Sequence, residues 1–369
     1  MFIEFIQSLY DQSRPLPENP NDYQTILEDI EYFQLSATVY SLLKQRGRIE
    51  QTPEFFQSRL QQDYQYVLYN NLYIKSQLKL IFDIFDANGI LTIPLKGTLF
   101  AETYFGHFSA RRTTDIDLLI QEEDMEKAIA CIQSLGYSIE NEFTPYHFHR
   151  TFSKMMPHSP IPLTIELHWG LLRKNSSGLQ IEQFWQHSTT LEGYKNIKKL
   201  SEVHTFYMIC LHGWNHKLDS LKYFIDIMQI IHILDRKIDY YTLFKIAKTD
   251  QTLKRLISTL TIVYHQFPHL DKINKLPINK KSNIWWDYQK IRYMKTGNIK
   301  QFKNYIRFYL FDCDTLKHSI ISFNRAVFPA REEVINNYQS SKKYNKYKFL
   351  EGYLKYYKEK IPYFFKSKR

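Results

Sequence analysis

Apolar residues recur every three to four positions through most of the chain, but every second position in one short stretch. That change of period divides the sequence. After Thr52-Pro53, a cap residue followed by a first-turn proline, Val67, Leu68, Leu72, Ile74, Leu78, Ile81 and Ile84 form one broad stripe. Their spacing predicts a long amphipathic helix. Asn88-Gly89 ends it, because glycine tolerates the left-handed conformation that closes helices. The pattern then shortens. Residues 90–95 form an apolar run between two glycines and predict a strand, and 98–104 predict a short helix. Residues 115–120 alternate, 124–135 carry Ala128, Ile129, Ile132 and Leu135 on one helical face before Gly136, and 148–152 and 163–169 alternate again. This order predicts a compact α/β unit. Beyond about Leu179 the 3.6-residue period returns over 201–217, 219–235, 240–249 and 251–266, and more weakly over 285–369. The expectation is an α+β protein: a helical region over 1–88, an α/β core over 89–172 and a helical region over 173–369.

Composition agrees with a folded body. Of 369 residues, 44% are hydrophobic and 24% charged, which excludes a disordered chain. Only 11 glycines and 13 prolines leave little room for long loops. The formal net charge of +11 is concentrated at one end, since residues 341–369 hold ten Lys and Arg against two Glu. The run Lys342-Lys343-Tyr344-Asn345-Lys346-Tyr347-Lys348 has the cations and rings to hold a nucleic acid, but a solvated helix is the favoured reading. No secretory signal or membrane span is expected: Glu4 stands where a leader needs basic residues, and the first apolar run is too short. Cys131, Cys210 and Cys313 lie far apart, so they suit buried thiols in a reducing cytoplasm, with neither a disulfide framework nor a structural zinc site.

The chemistry centres on acids. Asp115 and Asp117 are two apart on an alternating strand, so both point to one face while Ile116 and Leu118 enter the core. Two adjacent carboxylates repel, and a divalent cation such as Mg²⁺ relieves the repulsion. A DxD alone also fits a pair of solvated acids. Glu166 changes the balance. In Leu163-Thr164-Ile165-Glu166-Leu167-His168-Trp169, Glu166 lies on the polar face of an otherwise apolar strand, where an unpartnered acid is costly. If the two strands adjoin, three carboxylates converge, enough for two metals. Lys96-Gly97-Thr98 falls at a strand-to-helix junction, where backbone amides can approach a phosphate. Arg111 and Arg112 could meet a triphosphate, or form a surface pair bridged to the same aspartates. His168 shares the face of Glu166 as a supporting neighbour. His212 and His216 share a helix face without the glutamate of HExxH, which favours packing or substrate lining over zinc. His147 and His149 read as structural.

Together, Leu95-Lys96-Gly97, Arg111, Asp115-Ile116-Asp117-Leu118-Leu119-Ile120, Gly136-Tyr137 and Ile165-Glu166-Leu167-His168-Trp169 resemble the uncharacterised nucleotidyltransferases of the DNA polymerase β superfamily. Leu211-His212-Gly213-Trp214-Asn215-His216, with Leu221 and Asp226, resembles that family's helical C-terminal half. The resemblance covers roughly residues 20–270. It implies a small mixed-sheet nucleotidyltransferase core embedded between helical regions. It also implies Asp115, Asp117 and Glu166 as metal ligands and catalytic residues, Mg²⁺ or Mn²⁺ as cofactor, and an NTP such as ATP as co-substrate. Gly97-Thr98 stands where the superfamily has Gly-Ser or Gly-Gly, with a longer gap to the aspartates, and Lys96 would contact phosphate. The implied reaction moves a nucleotidyl group to a hydroxyl of a small molecule, peptide or protein. Two other readings stand beside it. A glycosyltransferase also uses DxD, but needs more α/β structure ahead of it. A non-catalytic binding module would use the fold as a scaffold.

Overall fold

The computed structural model describes residues 1–140, 147–156, 159, 161–278, 286–293, 308, 310–328 and 354–355. The basic run 342–348 lies outside the described residues. The chain opens with helices α1 (Phe2–Tyr10), α2 (Pro20–Tyr32), α3 (Ser36–Gln45) and the long α4 (Glu54–Ala87). Then come β1 (Thr92–Pro94), α5 (Thr98–Phe105), β2 (Asp115–Ile120), α6 (Met125–Ser134), β3 (Ser138–Ile139), β4 (His149–Met155) and β5 (Pro162–His168). After α7 (Ile181–Gln186) and a small hairpin of β6 (Thr189–Thr190) and β7 (Lys198–Lys199), the chain is helical through α8 (Glu202–Asn215), α9 (Leu221–Leu234), α10 (Tyr240–Thr249) and α11 (Leu253–Gln266). Further helices span Leu270–Ile273, Tyr288–Tyr293 and Leu316–Val327. The fold is α+β, mostly helical, as expected.

The five-stranded sheet runs β1-β2-β5-β4-β3. Only β2 and β5 pair parallel; the other three pairings are antiparallel, so the sheet is mixed. Alternation sorts β2 cleanly. Ile116, Leu118 and Ile120 join Ile165 and Leu167 of β5, Ile81 and Phe85 of α4, and Ala128 and Ile132 of α6 in one core. Leu119, on the opposite face, joins a second core made from the N-terminal helices and from α8 to α11, with Phe5 and Ile6 of α1 in one cluster with Phe224, Ile227 and Leu260. The face that carries Asp115 and Asp117 therefore looks toward the helical body.

Local chemistry departs from the sequence reading in places. Thr52 does not cap α4. Its hydroxyl donates to the Ile49 carbonyl at 2.6 Å, and Pro53 takes the cap position with no side-chain bond. Leu72, assigned to the apolar stripe, is 54% exposed, because the 34-residue helix turns that position away from both cores. The two-residue strands β3, β6 and β7 were too short to show a period. By contrast α9 starts where sequence rules place it, with Ser220 accepting from the Lys222 amide at 3.4 Å.

Candidate active site

The parallel register of β2 and β5 sets Asp117 directly opposite Glu166 and Asp115 opposite Thr164. Asp115, Asp117 and Glu166 thus share one face of neighbouring strands, with the apolar partners Ile116–Ile165 and Leu118–Leu167 on the other. Lys96 and His168 link the three acids in a row. Lys96 Nζ lies 3.0 Å from Asp117 Oδ2 and 3.5 Å from Asp115 Oδ2. His168 Nε2 lies 3.1 Å from Asp117 Oδ1 and 3.2 Å from Glu166 Oε2. His168, expected behind the carboxylates, sits between two of them.

These contacts decide the charges. Asp117 is only 2% exposed. Burial alone would raise its pKa, but the charge of Lys96 and the His168 hydrogen bond outweigh burial and lower it. Burial opposes the charged ring of His168, yet its bonds to Asp117 and Glu166 raise its pKa overall. Glu166, also opposed by burial, is carried down to about 2 by the His168 bond and charge. Lys96 is pushed up because Asp117 and Asp115 overcome its burial. Asp117 and Glu166 are therefore held in the charged form, with the Lys96 ammonium and the His168 ring against them.

The donor set suits a divalent cation. Three carboxylates share one face, and Lys96 and His168 lie against them. Hard oxygen donors in that number are what Mg²⁺ and Mn²⁺ select.

The phosphate-binding expectations separate. Gly97 has φ +85° and ψ −145°, a region open essentially to glycine, and this turn delivers Lys96 to the aspartates as α5 begins. Thr98 is 1% exposed, and its Oγ1 has no hydrogen-bond partner; it faces inward instead of lining the cleft beside Asp115. Arg111 is gripped by Asp226 of α9, Nε to Oδ1 at 2.6 Å and Nη2 to Oδ2 at 2.8 Å. It does not bridge to Asp115 or Asp117, yet it still borders the cleft. Arg112 also lines the cleft, its guanidinium 5.9 Å from the Tyr66 ring centre. On the far side stand His212 and Lys222, and the α2–α3 turn at Gln34 closes the rim.

A model of the uncharacterised nucleotidyltransferase family matches residues 19–268. The chain belongs to that family. No curated protein and no solved structure gives a match. Within this member of the family, two positions matter that the sequence did not single out, Asn71 and Lys222, beside His149, which reads as structural in the sequence. Asn71 of α4, wholly buried, donates to the Phe108 and Arg111 carbonyls at 2.7 and 2.8 Å and accepts from the Thr113 amide at 3.2 Å. It holds the segment that leads into Asp115, but nothing marks it within a helical pattern. Lys222 is exposed and lines the cleft, and its pKa is lowered by partial burial and then by the charges of Arg111 and Lys96. His149 of β4 lies directly across from His168.

Proposed function

We propose that this nucleotidyltransferase moves a nucleotidyl group from an NTP to a hydroxyl of a small molecule, peptide or protein. The observation that carries the reading is the Asp117–Glu166 register, with Asp115 on the same face. Asp115, Asp117 and Glu166 would hold Mg²⁺ or Mn²⁺, which supplies charge neutralisation at the phosphates. Asp226 orients Arg111 toward the cleft and keeps it charged there. Arg112 and Lys222 flank the same cleft, and an anionic triphosphate would relieve the repulsion that lowers the Lys222 pKa. Lys96 would exchange one aspartate for a phosphate oxygen. The acceptor oxygen attacks the α-phosphorus in line and gives up its proton to solvent, the bond to the β-phosphate oxygen breaks, and pyrophosphate leaves. Glu166, with its pKa near 2, is better suited to holding a cation than to removing the acceptor proton. The three buried cysteines suit a reducing compartment, the cytoplasm.

The glycosyltransferase reading is weaker because β1 is the sole strand ahead of Asp115 among the described residues. A thermal-shift titration separates the readings. An NTP with Mn²⁺ should stabilise the wild-type chain and not Asp117→Asn, and each labelled NTP can then be offered with candidate acceptors. Preference for a UDP-sugar would favour the glycosyltransferase. An Asp117→Asn protein with unchanged metal-dependent nucleotide binding would leave only the binding module.

A further inference from the structure

We infer that His149, Glu166 and His168 form a binding site for a divalent transition-metal ion, with nitrogen as well as oxygen donors. The inference deepens the metal assignment above and rests on it for location, although the donor geometry stands by itself. His149 and His168 face each other across the β4–β5 ladder, and Glu166 lies two residues before His168 on the same face. One ligand atom from each of the three falls within 4.8 Å of the other two. The imidazole centres are 5.0 Å apart and tilted by 44°, so the rings are not stacked flat on each other.

Unmet bonding capacity points the same way. His168 Nδ1 and His149 Nδ1 are both buried without a hydrogen-bond partner, and the His168 side chain is only 9% exposed. A buried polar atom left unpaired is costly, and a metal would discharge that cost at the ring it binds, or a ligand hydrogen bond at the other nitrogen. Asp117 Oδ1, 3.1 Å from His168 Nε2, is within reach of the same position.

The donor types decide the metal class. Mg²⁺ favours oxygen and retains its waters, whereas imidazole suits Fe²⁺, Ni²⁺, Cu²⁺ and Zn²⁺, with Co²⁺ between Fe²⁺ and Ni²⁺ in affinity. The face therefore has two unlike ends. Asp115 and Asp117 form the all-oxygen end, beside the cationic cleft. Glu166, His168 and His149 form a nitrogen-containing end, deeper along the strands. A nucleotidyltransferase with such a pair would hold a hard ion with the nucleotide and a more firmly bound transition ion beyond it.

Co²⁺ is the probe, because its visible absorption reports donor number and type. The full-length chain, stripped of metal, is titrated with Co²⁺ in millimolar Mg²⁺. The expected result is one equivalent of Co²⁺ retained against Mg²⁺, displaced by Zn²⁺, with two paramagnetically shifted, exchangeable imidazole N–H resonances. His149→Ala and His149→Gln should weaken Co²⁺ binding by about tenfold or more, the scale on which metal sites respond even to loss of a supporting partner. The Mg²⁺-dependent shift given by an NTP should persist in both. Displacement of Co²⁺ by equimolar Mg²⁺, absence of shifted imidazole resonances, or equal Co²⁺ affinity in folded His149→Gln would each overturn the inference. The wild-type resonances decide the matter even if both variants fail to fold. His149-dependent Co²⁺ binding by a chain that ignores every NTP would instead defeat the nucleotidyl reading and leave this one standing.

Discussion

Lys96 neutralises two aspartates with one ammonium, and its side chain is only 14% exposed against 1% for Asp117. Lys96→Met would leave a buried carboxylate short of positive charge, and breaking such a pair costs about 3–5 kcal/mol. Urea unfolding in EDTA should show that loss. Mg²⁺ or Mn²⁺ should then recover more stability in the variant than in the wild type, because the ion takes over the ammonium's role. Equal gains in the two proteins would place the metal elsewhere. The neighbouring glycine answers to backbone and not to space. A Cβ on Gly97 would meet nothing nearer than Thr113 Cγ2 at 3.6 Å, but φ stays at +85°. Gly97→Ala should therefore cost roughly 1–3 kcal/mol in a thermal melt and weaken NTP binding by shifting Lys96.

At the scale of elements, the Arg111–Asp226 pair fastens the segment before β2 to α9. Both side chains are largely buried, 13% and 3% exposed, and the contact joins positions 115 residues apart. Asp226→Ala would strand a buried guanidinium, a loss of about 3–5 kcal/mol. The double variant Arg111→Met/Asp226→Ala should recover much of that stability in urea, because neither charge is left alone. Its affinity for an NTP should remain low, since the cleft has lost a cation. Gly213 makes this docking of α9 on α8 close: a Cβ there would lie 3.1 Å from Leu218 Cδ2 and 3.4 Å from Tyr223 Cβ.

Across the whole molecule, the cleft lies between the acidic sheet face and a helical body whose core draws on the N-terminal helices and on α8 to α11. That body buries histidines in the neutral form. Burial, then the charge of His187, hold His204 at about 4, and burial lowers His232 and His269 as well. Below an ordinary histidine pKa of about 6.5 the unfolded chain takes up protons that the folded chain refuses. Stability is therefore full above that pH and lost as pH falls toward the folded values. His204, 3% exposed, should account for roughly 3 kcal/mol between neutral pH and pH 4 at about 1.4 kcal/mol per unit. Urea midpoints measured at both pH values should show a smaller drop for His204→Leu. An identical drop would exclude His204 as a source of the acid sensitivity.

Local order carries its own record in the sequence. The period-two runs mark β2 and β5, and alternation alone places Asp115 with Asp117 and Glu166 with His168, because side-chain direction along a strand depends only on parity. Helical periods likewise mark α4, α6 and α8 to α11 to within a few residues. Leu72 escaped because an apolar residue at the edge of a stripe carries no sign of whether a neighbour will cover it. Pairing between elements was decided by the tertiary structure. The β2–β5 register set Asp117 against Glu166, β4 brought His149 to His168, α9 claimed Arg111 through Asp226, and α4 anchored the approach to Asp115 through Asn71. Each joins residues distant along the chain, and which partner wins depends on how the sheet and helices pack, a choice that no local spacing encodes.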